Sequence, residues 1–312
     1  MAFFSVQPTP LEAGPITFRK TSRASAKDES RVSELYNEAA RLFRRASADS
    51  GYQTADLPDP AEYGDDPEEV ARAMRQAAGL GADDPVLNAT RTLERFGIGV
   101  IDRLDETGHH GGHTGVSRPS WLNDRPLVAL ADDVPGAVKR LTLLHEVYHL
   151  IADRDLAAPI TSTRSPEEQR AFRFAGAFLL PEQVVRRRVS ETLNLHGYLP
   201  IKADYGLSVG AITRRARDLG VISADRYRSL SIQLSSAGWR TNEPVEVADE
   251  KPLLLGQALR KAFGNQAVAR ASHVVGSAPE WIHRWSHTAG GQPDEAPSNV
   301  VTLAERRERL RS

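Results

Sequence analysis

Leu141-Thr142-Leu143-Leu144-His145-Glu146-Val147-Tyr148-His149-Leu150-Ile151 decides how this chain is read. It places His-Glu-x-x-His inside an apolar run with helical spacing. Residues four apart share one helical face, so His145 and His149 can offer two imidazoles to a single metal ion. Glu146 stands beside the first of them and can reach an attacking water as general base. With nine histidines in 312 residues, the pattern is expected by chance roughly 0.02 times. The flanking Leu141, Leu144, Val147, Leu150 and Ile151 would bury such a helix, and two buried histidines need polar partners. The plainer alternative is a pair of core histidines with ordinary hydrogen bonds.

A catalytic zinc site takes three protein ligands and leaves one position for water. The third candidate lies in Ser165-Pro166-Glu167-Glu168-Gln169-Arg170-Ala171-Phe172-Arg173-Phe174-Ala175. Ser165 reads as a helix N-cap, Pro166 as the first helical residue, and Glu168 as the closing member of a capping box. Glu168 can therefore simply cap. It also heads a stripe through Ala171, Ala175 and Leu179 that should pack on the His-Glu-x-x-His helix, which makes it the favoured third ligand. Glu167 and Asp153 are the alternatives. Asp153 follows His149 by four, but a straight helix does not easily wrap three turns round one ion.

Two motifs in order, Arg140-x-Thr142-x-x-His145-Glu146-x-x-His149 and Glu168-x-x-Ala171-x-x-Phe174-Ala175-x-x-x-Leu179-Leu180-Pro181, resemble the ImmA/IrrE family of metallopeptidases over roughly residues 70 to 245. The resemblance implies a zincin-like peptidase core with His145, His149 and Glu168 as ligands and Glu146 as base. It implies zinc as cofactor, with manganese served by the same donors. The implied partner is a protein substrate, a helix-turn-helix repressor encoded nearby. Two positions depart from the pattern. Tyr148 stands where the family usually has Gly, and Phe172 where it usually has Asn. Similar proteins often carry a DNA-binding domain before an equivalent of Phe3-Phe4; the expectation here is either a version without that domain or a true start that lies upstream.

Composition sets the outer limits. A net charge of −1 gives no bulk drive toward DNA or membranes. The absence of cysteine excludes disulfides and thiolate sites and leaves histidine and carboxylate as ligands. No secretory signal and no apolar stretch of about 20 residues is visible, and a cytoplasmic protein is expected. The fold class expected is α+β, mainly helical, with a small mixed sheet and helical C-terminal regions.

Along the chain, residues 1–26 read as an extended or disordered lead-in, and 27–65 as an amphipathic helix with a Pro-rich linker. Residues 66–200 form the zincin-like core. Within it, helices open at Asp66-Pro67 and at Asp84-Pro85, and strands run near 97–104, 114–117 and 126–131. A sheet edge of this kind can pair with an extended peptide. Gly108-His109-His110-Gly111-Gly112-His113 reads as a flexible loop rather than a second metal site. Beyond Pro181 a basic helix runs from 182 to 193. Residues 201–244 look like a helix-turn-helix, with Ser208 and Ser223 as caps; DNA contact there is not favoured. Residues 245–286 form a C-terminal helical module, and 287–312 a tail.

The sequence as a whole is read as a metal-dependent endopeptidase that cleaves a protein regulator. The alternative is a non-catalytic transcriptional regulator with an idle or structural metal site, binding DNA or a repressor.

Overall fold

An apolar helix such as 141–151 must be shielded on all sides, and here one small sheet and the helices on the same face of that sheet shield it. In the computed structural model, residues 15–19, 26–105, 115–156, 158, 160, 162 and 164–287 are described. The histidine-rich loop and most of the expected lead-in and tail lie outside these residues. The chain is α+β and mainly helical, as the sequence implied.

Four strands, β1 (Thr17–Arg19), β2 (Gly99–Ile101), β3 (Gly115–Ser117) and β4 (Leu127–Leu130), form one sheet in the order β1-β3-β4-β2. The pairs β1–β3 and β3–β4 are antiparallel, and β2–β4 is parallel. Successive side chains of a strand point to opposite faces. Val128 and Leu130 accordingly enter one core, and Leu127 and Ala129 the other.

The first core holds α2 (Pro67–Ala77), α3 (Ala89–Arg95), α4 (Gly136–Ala152) and α5 (Pro166–Leu179). It continues through α6 (Glu182–Arg188), α7 (Leu199–Tyr205), α8 (Val209–Asp218) and α9 (Ala224–Ser236). On the opposite face of the sheet, α1 (Ala26–Asp49) packs with α10 (Leu254–Phe263), α11 (Ala267–Val275) and α12 (Pro279–Ser286). Each fully buried Leu, Ile or Phe in these layers contributes about 1.5–3 kcal/mol.

Within the extended lead-in, Thr17 to Arg19 form a strand because they pair with Gly115 to Ser117. Two expectations need correction. The helix expected from Asp84-Pro85 begins at Ala89. Asn88 caps it by accepting the Arg91 amide at 2.7 Å, and the Glu250 carboxylate takes the Ala89 and Thr90 amides at 3.0 and 2.8 Å. Leu87 is left outside, 86% exposed. The helix after Pro181 stops at Arg188, where Val189 turns extended and buries itself, and Asn194 caps a short 3-10 turn over Leu195–Tyr198 instead.

The segment before α10 crosses the start of α4. A side chain at Gly136 would meet the carbonyl oxygens of Val247 and Ala248 at 2.5 and 2.6 Å, so only glycine fits. Buried charges pin the crossing. Lys139 pairs with Asp102 at 3.3 Å and with Asp249, and Arg140 pairs with Glu250. Among the described residues no helix is long and apolar enough to cross a membrane.

Candidate metal centre

The site is built where α4 and α5 face each other. On α4, the four-residue spacing stacks His145 over His149, and their Nε2 atoms lie 3.1 Å apart. On α5, local capping chemistry aims the third group. Ser165 Oγ accepts the Glu168 amide at 3.3 Å and fixes the first turn. The Glu168 carboxylate points to the histidines, with Oε2 3.3 Å from His145 Nε2 and Oε1 3.4 Å from His149 Nε2. All three residues are buried.

These donors fit a divalent metal ion. At zinc bond lengths near 2.05 Å, the edge of a tetrahedron is about 3.3 Å; the two imidazole nitrogens lie 3.1 Å apart, each has a different Glu168 oxygen at 3.3 or 3.4 Å, and one donor atom from each residue lies within 4.8 Å of the others. His149 Nδ1 lies 2.6 Å from Asp153 Oδ2. With the proton on that nitrogen, the lone pair of Nε2 faces the other two donors, the tautomer a metal ligand needs. Among the described residues the group has three members, His145, His149 and Glu168. Three protein ligands is the complement of a catalytic site, whereas a structural zinc site closes itself with four.

Protonation in the ion-free chain follows from the same contacts. Burial works against a charged His149, but hydrogen bonds to Asp153 and Glu168, with the charges of Glu146 and Asp153, lift it to about 10. Burial likewise disfavours a charged Glu168, yet hydrogen bonds from His145 and His149 hold it down at about 2. A proton shared among these groups therefore does part of what a cation would do.

Glu146 turns away from this group toward the sheet. Its Oε2 accepts the Ser117 hydroxyl at 2.7 Å, and Ser117 Oγ lies 2.7 Å from Thr17 Oγ1. A Cβ at Gly115 would stand 2.4 Å from Glu146 Oε1, so glycine is what lets β3 lie against this carboxylate. Phe172 places its ring 4.4 Å from that of His145. Tyr148 points elsewhere, into the core against Phe174 at 5.1 Å, and burial raises its pKa to about 12. A hollow of about 210 Å³ opens beside Leu141, one turn before His145, with Phe172, Leu207 and Ala211 on its apolar wall and Glu68, Arg215 and Asp218 among the charged residues that line it.

The other third-ligand candidates lie outside the group. Glu167 is within 3.9 Å of Arg170, and Asp153 holds the far nitrogen of His149. Asp153 in that orienting role was legible from its spacing to His149. Ser117 and Thr17 had no sequence signal, because strand pairing brings them in from 29 and 100 residues away.

Residues 93–217 match the family model of the IrrE N-terminal-like domain, Peptidase_M78. Over that segment the chain is similar to the ImmA/IrrE peptidases, as the two sequence motifs indicated. The matched residues hold α4 and α5 with the His-His-Glu group, so a peptidase-family domain and a metal-binding donor set coincide. Neither a curated protein nor a solved structure was found to match the chain.

Proposed function

We propose that the protein is a metal-dependent endopeptidase that cuts a protein regulator, with His145, His149 and Glu168 holding zinc or manganese and Glu146 acting as general base. The observation that carries this reading is the three-donor group with a separate, hydrogen-bonded carboxylate one residue from its first member. When bound, the ion supplies Lewis acidity, polarising a scissile carbonyl and making water a better nucleophile.

The chain's own residues do the rest. Asp153 keeps His149 in the ligating tautomer. Ser117 holds the Glu146 carboxylate, which takes a proton from the attacking water. Glu146 then returns that proton to the leaving amine. The step consumes one water and breaks one peptide bond.

The resemblance to ImmA/IrrE peptidases supports a cytoplasmic helix-turn-helix repressor as substrate. The alternative, a regulator acting by binding DNA, gains little from the arginines of the basic helix after Pro181 and of the helix-turn-helix-like region. Arg215 forks onto Glu68 at 2.8 and 2.8 Å, Arg214 bonds Asp218, and Arg186, Arg187 and Arg188 pair with Glu182, Asp83 and Asp204.

Incubating the zinc-loaded protein with the repressor encoded beside its gene, with and without chelator, tests the reading. A discrete cut that chelator abolishes is expected. An intact repressor at full metal occupancy would count against it.

A further inference from the structure

We propose that β1 is a built-in occupant of the surface on which an extended substrate peptide pairs, and that the site works only when this strand leaves. The inference rests on the peptidase reading.

Strand β3 runs beside α4 and presents Gly115 and Ser117 to Glu146. It is antiparallel to β4 on one side, and its other side is the one that β1 pairs with. An exposed edge of this kind recruits an extended peptide through main-chain hydrogen bonds. Here residues 17–19 of the same chain fill it, antiparallel, with Thr17 opposite Ser117 and Arg19 opposite Gly115.

The fit is on both faces of the strand. Thr17 lies 2% exposed with its hydroxyl on Ser117, which in turn holds Glu146, and Ile16 is buried in the second core. Thr17 is thus linked through Ser117 to Glu146, which is 1% exposed.

The anchoring is nevertheless small. The strand has three residues, and residues 20–25 join it to α1. Short strands are marginal alone, but tethering gives an effective concentration of about 1 mM. A free segment at about 10 μM with equal intrinsic affinity is then outcompeted about 100-fold. A substrate must bring further contacts, or β1 must be drawn away.

The test uses the full chain in three forms. Ile16→Asp puts a charge in the second core and should expel β1. Phe18→Cys with Val116→Cys joins register partners; the chain has no cysteine of its own, so oxidation locks β1 and reduction frees it. Metal content and melting temperature are measured first, and the lock is informative even if Ile16→Asp does not fold.

The expected result is cleavage about 10- to 100-fold faster for Ile16→Asp than for the natural chain, and none for the oxidised lock until it is reduced. An oxidised lock that cleaves as fast as its reduced form would overturn the proposal. So would an Ile16→Asp chain that keeps its metal but cleaves more slowly, since β1 would then be part of the machinery.

If no form cleaves although metal is bound, the peptidase reading falls, and a binding measurement decides the strand separately. A fluorescent peptide of residues 14–20 should bind Ile16→Asp at least about 10-fold more tightly than the oxidised lock. Equal binding, or none, would overturn the inference.

Discussion

His149 is held at both ring nitrogens, and the two bonds have different consequences. Nε2 meets His145 and Glu168, while Nδ1 meets Asp153. A partner on the far nitrogen orients a ligand, and its loss typically costs 10- to 100-fold in metal affinity. Asp153→Asn should therefore weaken zinc binding by about that factor, whereas Glu168→Gln should remove most of it and Glu167→Gln should leave it unchanged. Competition against a chelator of known affinity measures all three. Normal binding by Glu168→Gln would reject it as third ligand.

The ion-free chain should also show this cluster in its pH dependence. Glu168 is held below its ordinary value, so its contribution is fully present above about 4.5 and fades as pH falls toward about 2. His149 is lifted, so its contribution is fully present below about 6.5 and is lost as pH rises through about 10. After chelation, the cluster's share of stability should peak between those two ordinary values. Melting curves of the natural chain and of His149→Ala, compared from pH 3 to 10, isolate that share. Because an ion must displace the His149 proton, apparent metal affinity should rise with pH over the same range.

At the scale of elements, most helices were legible, whereas the short helix Leu199–Tyr205 and the sheet's outermost strand were not. Capping residues mark helix starts by local chemistry, and Ser165, Ser208 and Ser223 all accept the amides expected of them. The same rule set the start of α3 at Asn88 rather than at Pro85, with a second acceptor, Glu250, arriving from 160 residues away. Strand β1 has three residues and no alternation to read, and only its partner β3 makes it a strand.

The contact of β3 with α4 gives a prediction at this scale. Gly115→Ala places a methyl 2.4 Å from Glu146 Oε1 and 2.8 Å from Thr142 Cγ2. Either the strand or the carboxylate must shift, at a cost of about 1–3 kcal/mol. Urea unfolding should show that loss, and peptide cleavage should fall at least about 10-fold with metal retained. Unchanged cleavage would mean that the position of Glu146 against β3 is unimportant.

Over the whole molecule, stability and site share one framework. The sheet separates two cores, and residues 245–252 tie the C-terminal helices to the start of α4 through Lys139, Arg140 and Glu250. None of this was visible in the sequence, where 245–252 reads only as the start of the C-terminal helical module, because its partners lie more than 100 residues away. Glu250→Ala would strand Arg140 in a buried position and strip two amides of α3. Breaking a buried pair in this way costs about 3–5 kcal/mol, which denaturant unfolding can read directly.

A metal joining α4 to α5 should likewise stabilise the fold, by about 2.7 kcal/mol when free metal is 100-fold above its dissociation constant. Chelation should lower the melting temperature accordingly. An unchanged value on removing a confirmed metal would argue against an ion shared by those helices.

The most direct test of the central claim is Glu146→Gln. Glu146 sits outside the three-donor group and bonds Ser117, so the variant should keep its fold, its metal and its protein partner. Cleavage should fall by about 10²–10⁴-fold, the contribution typical of a general base. Metal content, partner binding and cleavage are to be measured on the same preparation. Loss of cleavage alone is the predicted result; loss of metal, or full biological output without cleavage, would contradict the account.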